Sequence, residues 1–422
     1  MKKRRVVVTG MGVVSSLGIS VENWWENLIK GDSKVDYVDR ISRLGVRALG
    51  AEIKDFKFNE HFLEHDTYEK YLDRSMKYGF VAAKEAYDKS NIEAARELFE
   101  SDKFGVYVGT TTGGIESAYN ESAKYLGTIN NSAVSPEIIY SFPPASWPSL
   151  LAHYFKADGI LRSIGTSCYA GGESVGNCFR DIRDGYIDVA IAGGLDAPMV
   201  ITNYLSFYII GATSRWKGEP SSACRPFSKD RTGMVFGEGA AFFILEDLEL
   251  ALKRKAKIYA EVLGYAATTD GDHMVHPSEH GTRWSDAIKM ALKEANVSED
   301  MIDYVSCHGT GTLANDKAEV RAIKQALGEH SKNISIGSIK SMIGHAFGGA
   351  TAIEIVQLIK SLETKIVPPT VNYAEHDSEC DLDCVPNNAR KLSRCNVVLK
   401  TATGFGGSNM AMVLRNWEGE CD

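Results

Sequence analysis

Short runs of β-branched and aliphatic residues alternate along the chain with longer segments of helical period. Residues 6–8, 104–108, 189–192, 241–245, 258–263, 304–307, 334–336 and 397–401 read as strands. Residues 71–90, 172–184, 283–296, 314–327 and 349–362 read as helices. Such alternation implies parallel sheets with helices on their faces. The pattern restarts after a charged, helix-like joint at 246–256: Ile258-Tyr-Ala-Glu-Val-Leu-Gly-Tyr265 resembles an opening strand, as residues 6–14 do at the start. Two α/β halves, 1–250 and 251–422, are therefore expected. No low-complexity linker separates them, so they should share one core.

The first residues, Met1-Lys-Lys-Arg-Arg5 followed by an apolar run to Val14, imitate a signal peptide. Gly10, Gly12, Thr9, Ser15 and Ser16 interrupt the run, and it reads instead as a buried first strand entering a glycine-rich turn. The stretch 199–212 carries Thr202, Asn203 and Ser206 and is too short and too polar to span a membrane.

Composition narrows the class further. The 422 residues are 44% hydrophobic and 24% charged, which excludes disorder, collagen and coiled coil. A net charge of −8 argues against nucleic acid as a partner. The 39 glycines against 11 prolines suit an α/β enzyme with many close backbone approaches. Eight cysteines, without C-x-x-C or paired zinc spacing, point to a reduced, cytoplasmic compartment and no metal site.

Four segments could carry chemistry. Gly165-Thr-Ser-Cys-Tyr-Ala-Gly-Gly172 delivers Cys168 to a helix start, where free N–H groups and the helix dipole would favour a thiolate; a buried structural cysteine is the alternative. Ser306-Cys-His-Gly-Thr-Gly-Thr312 projects His308 from a strand end, with Thr310 and Thr312 offering hydroxyls; a satisfied turn histidine is the alternative. Gly337-Ser-Ile-Lys-Ser-Met-Ile-Gly-His345 sets Lys340 and His345 before a glycine-rich helix, or simply caps a turn. Thr403-Gly-Phe-Gly-Gly-Ser-Asn409 offers backbone N–H groups for an oxyanion, or is a plain hairpin loop.

Taken together and in this order, one Cys, two His, one Lys and a Gly-Phe-Gly-Gly loop closely resemble the β-ketoacyl-acyl-carrier-protein synthases of the thiolase superfamily, elongating synthase II-like, including the ketosynthase α subunits of type II polyketide synthases. The resemblance spans nearly the whole chain. Val7-Val-Thr-Gly-Met-Gly-Val13, Arg225-Pro-Phe-Ser-Lys-Asp-Arg231, Gly237-Glu-Gly-Ala240, Asp272-His-Met-Val-His-Pro277, Asn315-Asp-Lys-Ala-Glu319 and Pro368-Pro-Thr-Val-Asn372 match it as well.

The resemblance implies a thiolase-like duplicated core of five layers, α-β-α-β-α, usually dimeric. It implies decarboxylative Claisen condensation, with Cys168 as nucleophile and His308 and His345 acting on the malonyl thioester. The N–H groups of Cys168 and Phe405 would form the oxyanion hole, Lys340 would tune the histidines, and Phe405 would gate the site. Thr310, Thr312 and Gly406 would bind substrate, the threonines holding its phosphopantetheine arm, and Glu319 would be structural. No cofactor is tightly bound, since phosphopantetheine arrives on the acyl carrier protein. The partners are that carrier protein and a second subunit, either a copy of this chain or a chain-length-factor homologue.

Residue types separate relatives. A thiolase would carry a second cysteine where Gly404-Phe-Gly-Gly407 stands, the coenzyme A-dependent initiating synthases have Asn at the place of His345, and a chain-length factor lacks the cysteine. Ser167-Cys-Tyr-Ala-Gly171, 109–114 and 141–148 depart from housekeeping fatty-acid synthases where the family lines its acyl pocket or dimer interface. They point to specialised polyketide or polyene synthesis. Housekeeping elongation and a non-catalytic scaffold or chain-length subunit are the alternatives. Carrier docking would need a local basic patch, with Lys70, Arg74, Lys77 and Arg225 as candidates.

Overall fold

The computed structural model describes residues 3–42 and 45–418; Cys421 lies outside them. Ten strands carry the fold. In the first half they are β1 (Val6–Ser15), β2 (Phe104–Gly109), β3 (Leu161–Ile164), β4 (Val189–Asp196) and β5 (Gly239–Asp247). In the second they are β6 (Ala260–Thr269), β7 (Tyr304–Ser306), β8 (Ser335–Gly337), β9 (Val397–Gly404) and β10 (Ser408–Asn416).

The first five lie in the order β3-β2-β4-β5-β1 and the second five in the order β8-β7-β9-β10-β6. Each half thus runs third, second, fourth, fifth, first. Pairing repeats too. The first and fifth strands, and the fifth and fourth, pair antiparallel, while the fourth pairs parallel with the second and the second with the third. The two sets join where Val6–Val8 of β1 pair antiparallel with Ala260–Val262 of β6. The sheets are therefore mixed, whereas strand–helix alternation alone implies parallel ones. The difference comes from the last strand of each half: β10 returns from β9 through a short turn, and β5 returns beside β4 after a long excursion.

Five helices complete the layers: α1 (Arg74–Ser90), α2 (Ala170–Arg183), α3 (Thr282–Ala295), α4 (Leu313–Leu327) and α5 (Ala350–Thr364). α1 covers the outer face of the first sheet half, and α3 covers that of the second with α4 beside it. α2 and α5 lie between the halves and touch strands of both. This is the α-β-α-β-α arrangement. α5 is buried nearly all round because it has a sheet on each side. α1 begins at Arg74, capped by the Asp73 carboxylate, which accepts from the Ser75 N–H at 3.0 Å. β1 is buried along its length, which accounts for its signal-like hydrophobicity. Among the described residues no helix is long and apolar enough to cross a membrane.

The middle layer can approach the sheet only through glycine. A Cβ on Gly109 would lie 2.2 Å from the Ala170 carbonyl oxygen, at the start of α2. Gly109→Ala must push α2 off the sheet. We expect a lower urea midpoint, equivalent to about 1–3 kcal/mol of lost stability. An unchanged midpoint would show that α2 does not depend on this approach.

Candidate active site

Cys168 sits in a short 3-10 turn, Ser167–Tyr169, that leads into α2. Ser167 takes the left-handed region at φ 59°, a conformation that costs a non-glycine residue energy and is held here by its neighbours. Its carbonyl accepts from Thr111 Oγ1 at 2.8 Å. That loop is itself anchored on buried Asp196, whose carboxylate accepts from Thr110 Oγ1, the Thr111 and Thr112 N–H groups and the Gly348 N–H. One carboxylate thereby ties the loop holding the Cys168 turn to the segment after His345.

The Cys168 thiol is buried at 6% exposure. Burial pushes it up to about 11, against the Ser167 hydrogen bond and the Lys340 charge, which favour the thiolate. The helix start therefore does not leave a standing thiolate, as position alone suggests. The resting group is a thiol.

His308 follows β7 and His345 follows the short helix Lys340–Ile343. Their rings meet edge to face with centroids 5.1 Å apart. His345 Nδ1 accepts the Phe347 N–H at 3.1 Å, so in the neutral ring the proton is on Nε2. That Nε2 is buried with no protein partner, and so is His308 Nδ1. Buried polar atoms are rarely orphaned without a purpose. Burial holds both imidazoles well below their usual range, and Lys340 and Lys400 reinforce it. Both rings are neutral at physiological pH.

Lys340 and Glu319 lie behind His308 rather than in the cavity. Lys340 Nζ donates to the His308 carbonyl oxygen at 2.7 Å and pairs with Glu354. Glu319 accepts the N–H groups of His308 at 2.6 Å and Gly309 at 2.8 Å, and the Thr401 hydroxyl at 2.6 Å. Burial pushes its carboxyl up to about 6.

Cys168, His308, His345, Thr310, Thr312 and Phe405 all line one cavity of about 280 Å³. Gly404 abuts the Cys168 turn: a Cβ there would meet Ser167 Cβ at 2.8 Å and the Cys168 nitrogen at 3.4 Å. Phe405 is 39% exposed and stacks on Phe207 at 5.1 Å, which packs edge-on against Phe347, itself stacked on His345. Gly406 does not line the cavity; its N–H donates to the Val275 carbonyl oxygen at 3.3 Å and holds the turn against residues 270–278. Tyr169 also points away, into the core, with its hydroxyl 2.8 Å from Ser408 Oγ.

The basic residues singled out for docking are mostly occupied. Arg74 pairs with Glu238 at 3.2 Å and Lys77 with Glu69 at 2.7 Å. Arg225 is 5% exposed, paired with Asp230 and stacked over Trp216. Lys70 remains at the surface, over the Tyr71 ring. Sequence reasoning overlooked Lys400, Glu354, Asp196 and Phe207. A lysine inside the strand run 397–401, and a glutamate within the apolar helix, were the available signals for the first two. Among the described residues no cluster could hold a metal ion.

Duplicated halves of this topology, with the buried thiol against the layer between them, define a thiolase-like enzyme. Within that class the chain belongs to the β-ketoacyl synthase family. Residues 3–251 match the family's N-terminal domain and 259–374 its C-terminal domain. The "3-oxoacyl-[acyl-carrier-protein] synthase 2" of Synechocystis sp. is 36% identical over 99% of both chains. Among solved structures, the ketosynthase described as a "type II PKS acyl-carrier protein in complex with its ketosynthase bound to the hexaketide" superposes with a TM-score of 0.90 at 33% identity, covering 99% of this chain and 100% of that one. "The ishigamide ketosynthase/chain length factor" gives 0.90 at 32% identity, covering 98% and 100%.

Proposed function

We propose that the enzyme condenses an acyl–Cys168 thioester with malonyl-acyl-carrier protein, releasing CO₂ and β-ketoacyl-carrier protein. In the first half-reaction the Cys168 thiol loses its proton and Sγ attacks the acyl thioester; the phosphopantetheine thiol leaves with a proton. The N–H groups of Cys168 and Phe405 face the tetrahedral oxyanion. In the second, the bond between malonyl Cα and its carboxylate breaks, and the electron pair enters an enolate. The enolate carbon attacks the acyl carbonyl, and Cys168 leaves as thiolate and regains a proton. The observation that carries this reading is the pair of buried, partnerless imidazole nitrogens sharing a cavity with the thiol. The donor at His345 Nε2 meets the enolate oxygen without reorganisation.

Thr310 and Thr312, with hydroxyls 3.0 Å apart, line the entry that the phosphopantetheine arm would use. The arm is part of the substrate, and the chemistry requires no resident cofactor. The acyl carrier protein is one partner. The other is a second subunit, a copy or a chain-length-factor homologue, and the enzyme works in the cytoplasm.

The product is assigned to specialised polyketide or polyene synthesis. The similarity to a ketosynthase carrying a hexaketide supports this, as does the departure of 109–114 and 141–148 from the housekeeping pattern at the acyl pocket or dimer interface. These two segments pack on each other: a Cβ on Gly114 would meet the Ser141 carbonyl oxygen at 1.9 Å. The test is to load the enzyme with acylated carrier protein, add malonyl-carrier protein, and weigh the chain held on Cys168. Repeated two-carbon additions that retain oxygen or unsaturation are expected. Elongation of saturated chains by the chain alone, as efficient as that of a housekeeping synthase, would overturn the assignment.

A further inference from the structure

Lys400 lies inside β9, pointing into the protein, where a lysine is rarely found without a task. It is fully buried, as are Glu354 and Lys340. Its ammonium donates to the carbonyl oxygens of Ser306 at 3.1 Å and Cys307 at 3.0 Å. It lies 2.8 Å from one oxygen of Glu354, whose other oxygen is taken by Lys340. Lys340 holds the next carbonyl, that of His308. Two ammoniums bridged by one carboxylate thus grip three consecutive carbonyls at the strand end that carries His308.

The next residue, Thr401, faces the other side of β9, since side chains alternate along a strand. It donates to Glu319, which holds the N–H groups of His308 and Gly309. Adjacent residues of one strand therefore fix the carbonyl side and the amide side of the same turn.

We propose that Lys400 is a positioning residue for the condensation: it fixes the backbone that aims His308 and supplies the second cation that keeps the histidine pair neutral. This inference rests on the reading of His308 and His345 as the groups that act on the malonyl thioester. Lys340, Lys400 and Glu354 form a cluster of one net positive charge on the carbonyl side of the His308 turn, opposite the Glu319 carboxylate on its amide side, and a nearby cation disfavours the imidazolium. The titratable groups around His308 are His345, Lys340, Lys400 and Glu319, and those around His345 are His308, Lys340 and Lys400. Burying a second lysine is costly, and Glu354 offsets that cost only by being shared.

The experiment follows malonyl-carrier-protein decarboxylation against pH in wild type, Lys400→Met, Lys400→Arg and Glu354→Gln. With one cation removed, Lys400→Met should lose activity on the acid side at a higher pH than wild type, by about one unit. Lys400→Arg keeps the cation and should restore the wild-type acid limb, even with a lower maximum rate. Glu354→Gln removes the carboxylate that bridges the two lysines and should, like the loss of any anion near the rings, move the limb to higher pH only if the lysines lose their protons; with both ammoniums kept it moves the limb the other way, so it carries the test with opposite sign if the Lys400 variants do not fold. A merely structural lysine would lower the melting temperature and leave the acid limb where it was; that result overturns the inference. Wild-type protein that fails to decarboxylate malonyl-carrier protein overturns the functional reading instead.

Discussion

Cys168→Ala is expected to abolish acyl transfer and, with it, condensation. Among the described residues the side chain is the only thiol lining the cavity that holds both histidines and the Gly404–Phe405 turn. A nucleophile that acts as one unit with its partners cannot be replaced by them, so the fall should be on the order of 10⁴-fold or more. The substitution removes one buried sulfur and keeps the backbone, so folding should survive. The check is intact-protein mass after incubation with acyl-carrier protein: wild type gains the acyl mass and the variant does not. Full condensation by Cys168→Ala would refute the site. Because burial pushes the thiol up to about 11, wild-type acylation should also quicken as pH rises through the neutral range, since more of the reacting thiolate is available.

His308→Ala and His345→Ala are expected to cut malonyl decarboxylation by about 10²–10³-fold each, while acylation of Cys168 falls less. The enolate oxygen gains its full charge only as CO₂ leaves, and the orphaned His345 Nε2 is the donor already in place. The acyl oxyanion uses backbone N–H groups instead, and either remaining base can help the thiol. The two half-reactions therefore separate. Labelled CO₂ release measures one and acyl-enzyme mass the other. Equal losses in both would mean that the histidines serve only the nucleophile. The pH sign follows from the neutral rings. Since burial holds both imidazoles below their usual range, decarboxylation should stay flat from neutral pH down through pH 6.5 and fall only in more acidic solution. Protonating His345 would also place a proton on Nδ1, where the Phe347 N–H already donates.

Much of the scaffold was legible from hydrophobic pattern. All eight strands and five helices read from the sequence exist, with ends shifted by a few residues. β3 was missed because its residues are exposed along most of an edge strand, so no apolar run marks it. β10 was missed because its start was absorbed into the glycine-rich loop motif. The motifs single out Cys168, His308, His345, Thr310, Thr312 and Phe405, and the fold brings all six to one cavity. Gly406 belongs to the same motif but turns its N–H to the Val275 carbonyl instead.

The sequence by itself determined the element order, the restart near residue 250 and the chemical types at the motifs. Each of these depends on neighbours close along the chain: strand and helix period, glycine turns, a cysteine before a helix. The protonation of the site was decided only in three dimensions. A helix start argues for thiolate, yet burial among both halves makes Cys168 a thiol. Nothing near residue 400 in the chain marks Lys400 as a neighbour of His308, for they lie 92 residues apart and meet only through parallel pairing of β7 with β9. Burial and long-range pairing set the electrostatics, because desolvation depends on everything packed around a group. The chain supplied the reactive groups; the fold chose their charges.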